Sequence, residues 1–359
     1  MSRSTFAADA AVGFIAAYGT RPTGVWSAPG RVNLMGEHTD YNEGLCLPIA
    51  LPHRTFAAVK RRGDDRLRIH SAQDATSWEG ALEDIAPGRP DGWPAYVAGV
   101  PWALADLVGH PLPGLDVLVD GHVPLGAGLS SSAALECAVA LALDELAELG
   151  LGGSDQGRGR LAKACDQAEN VIARAPTGGM DQAASLRCTA GHALLLDCRD
   201  GSVEQVPLDL GAAGLAWLVV DTRARHALVD GQYGERRDTC EAAAAQLGLR
   251  SLREVDPAGL TATLARLPDD VMRRRVRHVV TEIERVRETV SLLRAGRVAD
   301  LGPVLDASHR SMRDDYEISC LELDLAVQTA RTAGAVGARM TGGGFGGSAL
   351  ALVPADRLS

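Results

Sequence analysis

The sequence predicts an α+β fold. Strand and helix patterns interleave along the chain without the regular strand–helix repeat of a doubly wound sheet. At 359 residues and 46% hydrophobic content the chain can bury a substantial core, and its length corresponds to about two domains. A glycine- and alanine-rich stretch, DLGAAGL at 209–215, separates two patterned regions, so the expected division is residues 1–208 and 209–359.

The elements follow in order. The first twenty residues are apolar but broken by Asp9 and lack a basic start followed by an unbroken apolar stretch, which reads as a helix and not a signal peptide. GVWSAPGRVNL is extended, and the loop GEHTDYNEG at 36–44 follows it. LCLPIAL leads into RTFAAVKRR, a strand by its alternation and its β-branched and aromatic residues, and LRIHSAQ is a further strand. Residues 91–109 open with turn chemistry and then carry apolar residues at helical spacing. LDVLVDGHVP is a strand running directly into GAGLSSS and a helix that ends at Gly150. A second helix, 159–174, leads to the loop APTGGMDQAAS, and HALLLDCR is a strand. Beyond 215 come the strand AWLVVDT, helices at 233–247, 270–294, 298–312 and 321–333, the strand VGARM, the glycine cluster TGGGFGG and the strand SALALVP.

Composition removes several function classes. Only Lys60 and Lys163 are lysines among 36 basic residues, and neither follows a glycine, so a P-loop ending in Gly-Lys-Ser/Thr is excluded. Lys60 lies in AVKRRGDD with no histidine-arginine-aspartate loop downstream, which excludes a protein kinase of the Val-Ala-Ile-Lys type. A phosphate-handling cation must be an arginine or a metal. The net charge of −10 argues against nucleic acid as the main partner. The run RRRVRH at 273–278 sits on a helix with an apolar stripe, and reads as a solvated face. The seven cysteines form no C-x-x-C pair and lie mostly in apolar runs, as buried thiols in a reducing cytosol do. No stretch reaches the roughly 18 apolar residues of a membrane span.

Three segments carry chemistry. GAGLSSSAA, 126–134, lets backbone amides point into one concavity at the start of a helix, where a phosphate is held without a lysine. Its serines can donate to phosphate or ligate magnesium; the plain alternative is a serine-capped helix after a glycine turn. TGGGFGG is a second such loop, or a tight turn between strands. GRVNLMGEHTDYNEG packs Arg31, Asn33, Glu37, His38, Asp40, Tyr41 and Asn42 together, a density of donors and acceptors that suits a polyhydroxylated ligand. A metal site at Glu37, His38 and Asp40 and a solvated loop are the alternatives.

These residues support a resemblance. GRVNLMGEHTDYNEGLCLP is similar to the signature of the galactokinase family, PLGAGLSSSAALE to the phosphate loop of the superfamily that also holds homoserine, mevalonate and phosphomevalonate kinases, and MTGGGFGGSAL to its C-terminal motif. GGMDQ, RHALVDGQYGERR and SHRSMRDDYEIS agree as well, so the resemblance spans nearly the whole chain; Met35 stands where isoleucine is usual. It implies a two-domain small-molecule kinase fold, with an N-terminal mixed sheet and helices, a C-terminal ferredoxin-like domain, and the active site in the cleft between them. It implies Asp181 and Arg31 as catalytic residues, and Glu37, His38, Asp40, Gly178 and Tyr233 as sugar-binding. Gly126, Ala127, Gly128, Leu129, Ser130, Ser131 and Ser132 match the nucleotide phosphate loop, with Ser71, Trp93 and Tyr96 beside the adenosine; Ser132 and Glu169 match the magnesium ligands.

The implied reaction moves the γ-phosphoryl group of ATP, with Mg2+, to the anomeric hydroxyl of α-D-galactose, giving galactose 1-phosphate and ADP. The implied protein is a cytoplasmic monomer with no nucleic-acid or membrane partner. A kinase for N-acetylgalactosamine or L-arabinose, and a non-catalytic galactose and ATP sensor, are the alternatives; the intact Ser132-Ala133, Asp181 and Arg31 favour the enzyme.

Overall fold

The computed structural model describes residues 2–224 and 229–358. Residues 225–228, where the RHALVDGQYGERR segment begins, lie outside the described residues. Two compact units emerge: the first holds Met1–Arg31, Ala50–Pro124 and Ser130–Arg187, the second Val32–Ile49, Leu125–Leu129 and Cys188–Ser359. The sequence reading placed one cut after residue 208; the units interleave instead, because two short loop segments fold with the later part of the chain.

In the first unit a five-stranded sheet takes the order Gly24–Asn33, Pro48–Arg61, Leu115–Gly121, Arg66–Ser71, Ser77–Ala81. It is mixed: Leu115–Gly121 pairs antiparallel with Pro48–Arg61 and parallel with Arg66–Ser71. The antiparallel ladder begins at Thr55, so Pro52, which has no N–H to give, lies outside it. Alternate residues Ala57, Val59, Val117 and Val119 join the main core, which also takes helices Pro94–Val108, Ser131–Leu146 and Asp155–Gln167. The opposite residues Phe56, Ala58 and Leu118 pack on the N-terminal helix Arg3–Tyr18 through Ala10 and Phe14. One side of the sheet therefore carries a layer of helices, and the other carries one covering helix.

Two features of that helical layer place functional groups. Asp155–Gln167 continues into a π-helical turn, Ala168–Ile172, of a kind that marks functional sites. That turn approaches Pro94–Val108 so closely that a Cβ on Gly99 would meet the Ala168 Cβ at 2.8 Å. The sequence reading treats residues 175–185 as a loop; the structure starts the helix Met180–Arg187 within it, directly after Gly179, which takes the left-handed φ of 80°. The half-exposed edge strand Ser77–Ala81 was not expected either, since it pairs on one side only and carries no apolar alternation.

The second unit has two antiparallel three-stranded sheets. One takes the order Gly337–Thr341, Ser348–Pro354, Leu215–Asp221, the other Leu45–Cys46, His192–Asp197, Ser202–Pro207. The long helix Asp270–Arg294 buries Val276, Val279, Ile283, Val286, Val290 and Leu293, the stripe its spacing predicts. Its arginine run is engaged inside the unit: Arg274 pairs with Asp270 and Glu317, Arg275 with Glu317, and Arg277 with Asp315, while Arg273 donates to the Leu267 carbonyl. Helices Val229–Leu247 and Leu321–Thr332 match expectation, whereas 298–312 divides into a 3-10 turn, Val298–Leu301, and the helix Gly302–Ser311. All seven cysteines are free thiols, four buried and three half-buried. Among the described residues no helix is long and apolar enough to cross a membrane.

Candidate active site

Arg31 and Asp181 meet within the first unit. The Arg31 Nε donates to Asp181 Oδ1 at 2.7 Å and its Nη2 to Oδ2 at 2.8 Å, a planar fork on a planar carboxylate. Arg31 is buried, and the Asp181 side chain keeps 20% exposure. Asp181 sits in the first turn of Met180–Arg187, where the helix dipole favours a negative charge. The strand bearing Arg31 is tied to the same helix by Ser185, whose hydroxyl donates to the Pro29 carbonyl. The preceding loop is tied down by Asp166, Asn170 and Thr177: the Asn170 amide donates to Asp166 Oδ1 and its Oδ1 accepts the Thr177 N–H. Gly178, half-buried, belongs to that loop.

Ser130 also converges on Asp181, donating its hydroxyl to Oδ2. It precedes the helix Ser131–Leu146 and makes no side-chain capping bond, so a simple serine cap does not describe this segment. Ser132 hydrogen-bonds the buried Glu169 carboxyl, which burial, with the nearby Asp181 charge, pushes up to about 7. The Gln182 amide donates to Glu169 and to Glu136. Burial, reinforced by the Glu169 charge, raises the Glu136 carboxyl well above its usual range. An oxygen-preferring dication at Ser132 and Glu169 would hold Glu169 ionised, so these donors fit magnesium. Among the described residues no cluster of three or more His, Cys, Asp or Glu stands ready to hold a metal alone. Nucleotide phosphates and water would complete such a shell. Elsewhere in this unit the Trp93 indole donates to Thr76 Oγ1, the half-buried Ser71 hydroxyl accepts the Gln73 N–H, and Tyr96 lies half-buried in the first turn of Pro94–Val108.

The second unit brings together the acidic loop, Tyr233 and the C-terminal glycine cluster. Glu37 Oε1 accepts from Gly342 N at 2.7 Å and from Thr341 Oγ1, while Oε2 accepts from the Asn33 amide and from Arg339 at 3.1 Å. Arg339 is fully buried, donates to the Leu34 carbonyl and lies 3.7 Å from Glu282. Burial alone would raise the Glu282 carboxyl, but Arg285 and Arg339 override it and hold it well below the usual range. His38 Nε2 lies 3.1 Å from the Gly343 carbonyl and Nδ1 2.7 Å from the Tyr41 hydroxyl. A carbonyl only accepts, so Nε2 carries the proton and Nδ1 accepts from Tyr41. Burial depresses the ring to about 3, so it is neutral. Tyr233 stacks obliquely on it at 4.9 Å and Tyr316 at 5.0 Å. Asp40 is half-buried, in the short turn Asp40–Asn42.

The phosphate-loop residues Gly126 to Leu129 belong to this unit and abut the other glycine cluster. Ser348 Oγ donates to the Ala127 carbonyl at 2.7 Å, and a Cβ on Gly342 would lie 2.9 Å from the Gly128 carbonyl oxygen. TGGGFGG is thus a turn between antiparallel strands and also the floor under the loop. Sequence reasoning missed Arg339, Glu282, Tyr316 and His278; an arginine inside the otherwise apolar VGARM was the available signal. His278 repeats the His38 arrangement, with Nε2 on the Glu37 carbonyl and Nδ1 on the Ser311 hydroxyl.

Residues 13–61 match the galactokinase galactose-binding signature, 95–188 the GHMP kinase N-terminal domain and 289–359 the GHMP kinase C-terminal domain. The chain is 56% identical to a galactokinase of Streptomyces coelicolor, over 94% of this chain and 86% of that one. It is 41% identical to a human galactokinase, over 97% and 88%. Among solved structures, Lactococcus lactis galactokinase complexed with galactose superposes with a TM-score of 0.90 at 31% identity, covering 98% of this chain and 91% of that one. A Methanococcus jannaschii mevalonate kinase, at a TM-score of 0.67 and 16% identity over 93% and 91%, shares the fold.

Proposed function

The chain belongs to the galactokinase family, and from that premise we propose how its residues phosphorylate galactose. It is an ATP-dependent kinase acting on galactose. Phosphoryl transfer is mainly positioning and charge stabilisation. The anomeric hydroxyl attacks the γ-phosphorus, Asp181 accepts its proton, and galactose 1-phosphate and ADP leave. Arg31 holds the Asp181 carboxylate in a bidentate fork and, being permanently charged, stabilises charge on the transferring group. The bidentate Arg31–Asp181 pair, with its carboxylate still in reach of solvent, is the observation that carries this reading.

Glu37, His38, Asp40 and Tyr233, with Gly178, hold the sugar. Glu37 and His38 are fixed by their own unit, so a sugar hydroxyl reaching this loop meets groups that need no ordering. The backbone amides of Gly126, Ala127, Gly128, Leu129 and Ser130 and the hydroxyls of Ser131 and Ser132 receive the ATP phosphates, and Ser71, Trp93 and Tyr96 flank the adenosine. Ser132 and Glu169 would hold Mg2+, which would neutralise phosphate charge. The protein acts as a cytoplasmic monomer. A coupled ADP-release assay with galactose, N-acetylgalactosamine, L-arabinose and glucose tests the reading. Turnover is expected to be highest with galactose; higher turnover with another sugar would reassign the substrate, and silence on all four would point to a sensor.

A further inference from the structure

We propose that Ser130 is a positioning residue for this reaction: its hydroxyl fixes the Asp181 carboxylate and reserves Oδ1 as the atom that receives the sugar proton. The inference rests on the reading of Asp181 as proton acceptor. Three independent features of Ser130 point to it. Its backbone is left-handed, φ 59° and ψ 52°, a region that costs a non-glycine residue on the order of 1 kcal/mol or more. It stands at the helix N-cap, where a serine normally bonds the amides of the first turn, and it makes no such bond. The hydroxyl is directed to Asp181 Oδ2 instead. A conformation that forgoes a cap and holds a strained backbone persists where its surroundings require it.

The distribution of donors around Asp181 is uneven. Oδ2 accepts from Arg31 Nη2 and from Ser130, whereas Oδ1 accepts from Arg31 Nε. Each carboxylate oxygen offers about two acceptor positions, so Oδ2 is filled and Oδ1 has one left. In the transfer the sugar O–H bond breaks and its proton lodges on Oδ1. The oxygen electron pair forms the bond to the γ-phosphorus as the bond to the β–γ bridging oxygen breaks, and ADP leaves with that pair. Ser130 prevents the carboxylate from rotating off the fork and offering the wrong oxygen.

The test compares Ser130→Ala, which keeps the strained Cβ, with Ser130→Gly, which removes hydroxyl and strain together. A hydrogen bond to a charged group corresponds to a loss in kcat of about tenfold to a hundredfold. Both variants should show it, with KM for ATP unchanged. Activity kept by Ser130→Gly but lost by Ser130→Ala would assign the effect to the backbone and overturn the proposal. A raised KM for ATP at unchanged kcat would make the hydroxyl a phosphate ligand, which also overturns it, as would normal kinetics in both variants. In an Asp181→Asn background, Ser130→Ala should cost nothing further. Normal turnover by Asp181→Asn alone would instead remove the premise, an outcome separable from normal turnover by Ser130→Ala beside an inactive Asp181→Asn.

Discussion

Asp181 in the first unit and Glu37 in the second are both carboxylates held by an arginine, and they are held for opposite ends. Arg31 and Asp181 are 6% and 20% exposed at the side chain; Arg339 and Glu37 are 0% and 1%. Asp181 takes three donors and keeps room on Oδ1. Glu37 takes donors on both oxygens from Asn33, Arg339, Thr341 and Gly342, joining the sugar loop to the C-terminal motif. An ion pair near solvent can exchange a proton with a ligand; one sealed inside its unit fixes shape and loses stability when broken. Similar residue pairs therefore differ in how much of the carboxylate burial leaves open.

The largest expected effect is on the chemical side. Asp181→Asn keeps the hydrogen-bonding outline but removes the proton acceptor and the Arg31 counter-charge. A fall in kcat of about 10²–10⁴-fold is expected, with galactose binding still measurable by calorimetry. Near-normal turnover would take Asp181 out of the reaction and leave the Arg31 pair as structure.

The next effect falls on stability. Arg339→Met takes a cation from both Glu37 and Glu282, of which Glu282 keeps Arg285, and breaking a buried pair from one side costs about 3–5 kcal/mol. The urea midpoint should fall accordingly, and adding Glu282→Gln should restore part of it by removing one orphaned charge. An unchanged midpoint would show that Arg339 is not needed to hold Glu37 in place.

The same contrast explains what the sequence disclosed. Arg31, Glu37, His38 and Asp181 lie in short motifs where polar residues crowd beside glycine, and it is the resemblance of those motifs to the galactokinase signatures that singled them out. The stripe on Asp270–Arg294 was legible because its period matches a helix. Arg339 was not, because burying a guanidinium depends on partners far away, Glu37 and Glu282, that no local pattern connects. The helix at Met180–Arg187 was hidden by the glycines before it, whose left-handed turn positions a helix start as readily as it makes a loop. The direction of the Ser130 hydroxyl is a matter of backbone angle, which composition does not encode.

The smallest effect concerns the neutral rings of the second unit. Burial depresses His38 to about 3, and His278 and His309 each to about 4. Unfolded, all three titrate near 6.5. Between about pH 6.5 and 4 the unfolded chain therefore binds protons that the folded chain refuses, and stability must fall as pH falls through that window. Each such proton contributes a slope of about 1.4 kcal/mol per pH unit where it is fully taken up. His278 donates from Nε2 to the Glu37 carbonyl, and its Nδ1 lies 2.9 Å from the Ser311 hydroxyl, which also reaches Asp315 Oδ2. His278→Asn should lower stability at neutral pH by losing one of those bonds, yet reduce the acid slope by about that single-proton amount. Urea midpoints from pH 7 to 4.5 measure both. An unaltered slope would mean that His278 is protonated in the folded protein, and the Glu37 carbonyl and Ser311 would then have to be holding a cation.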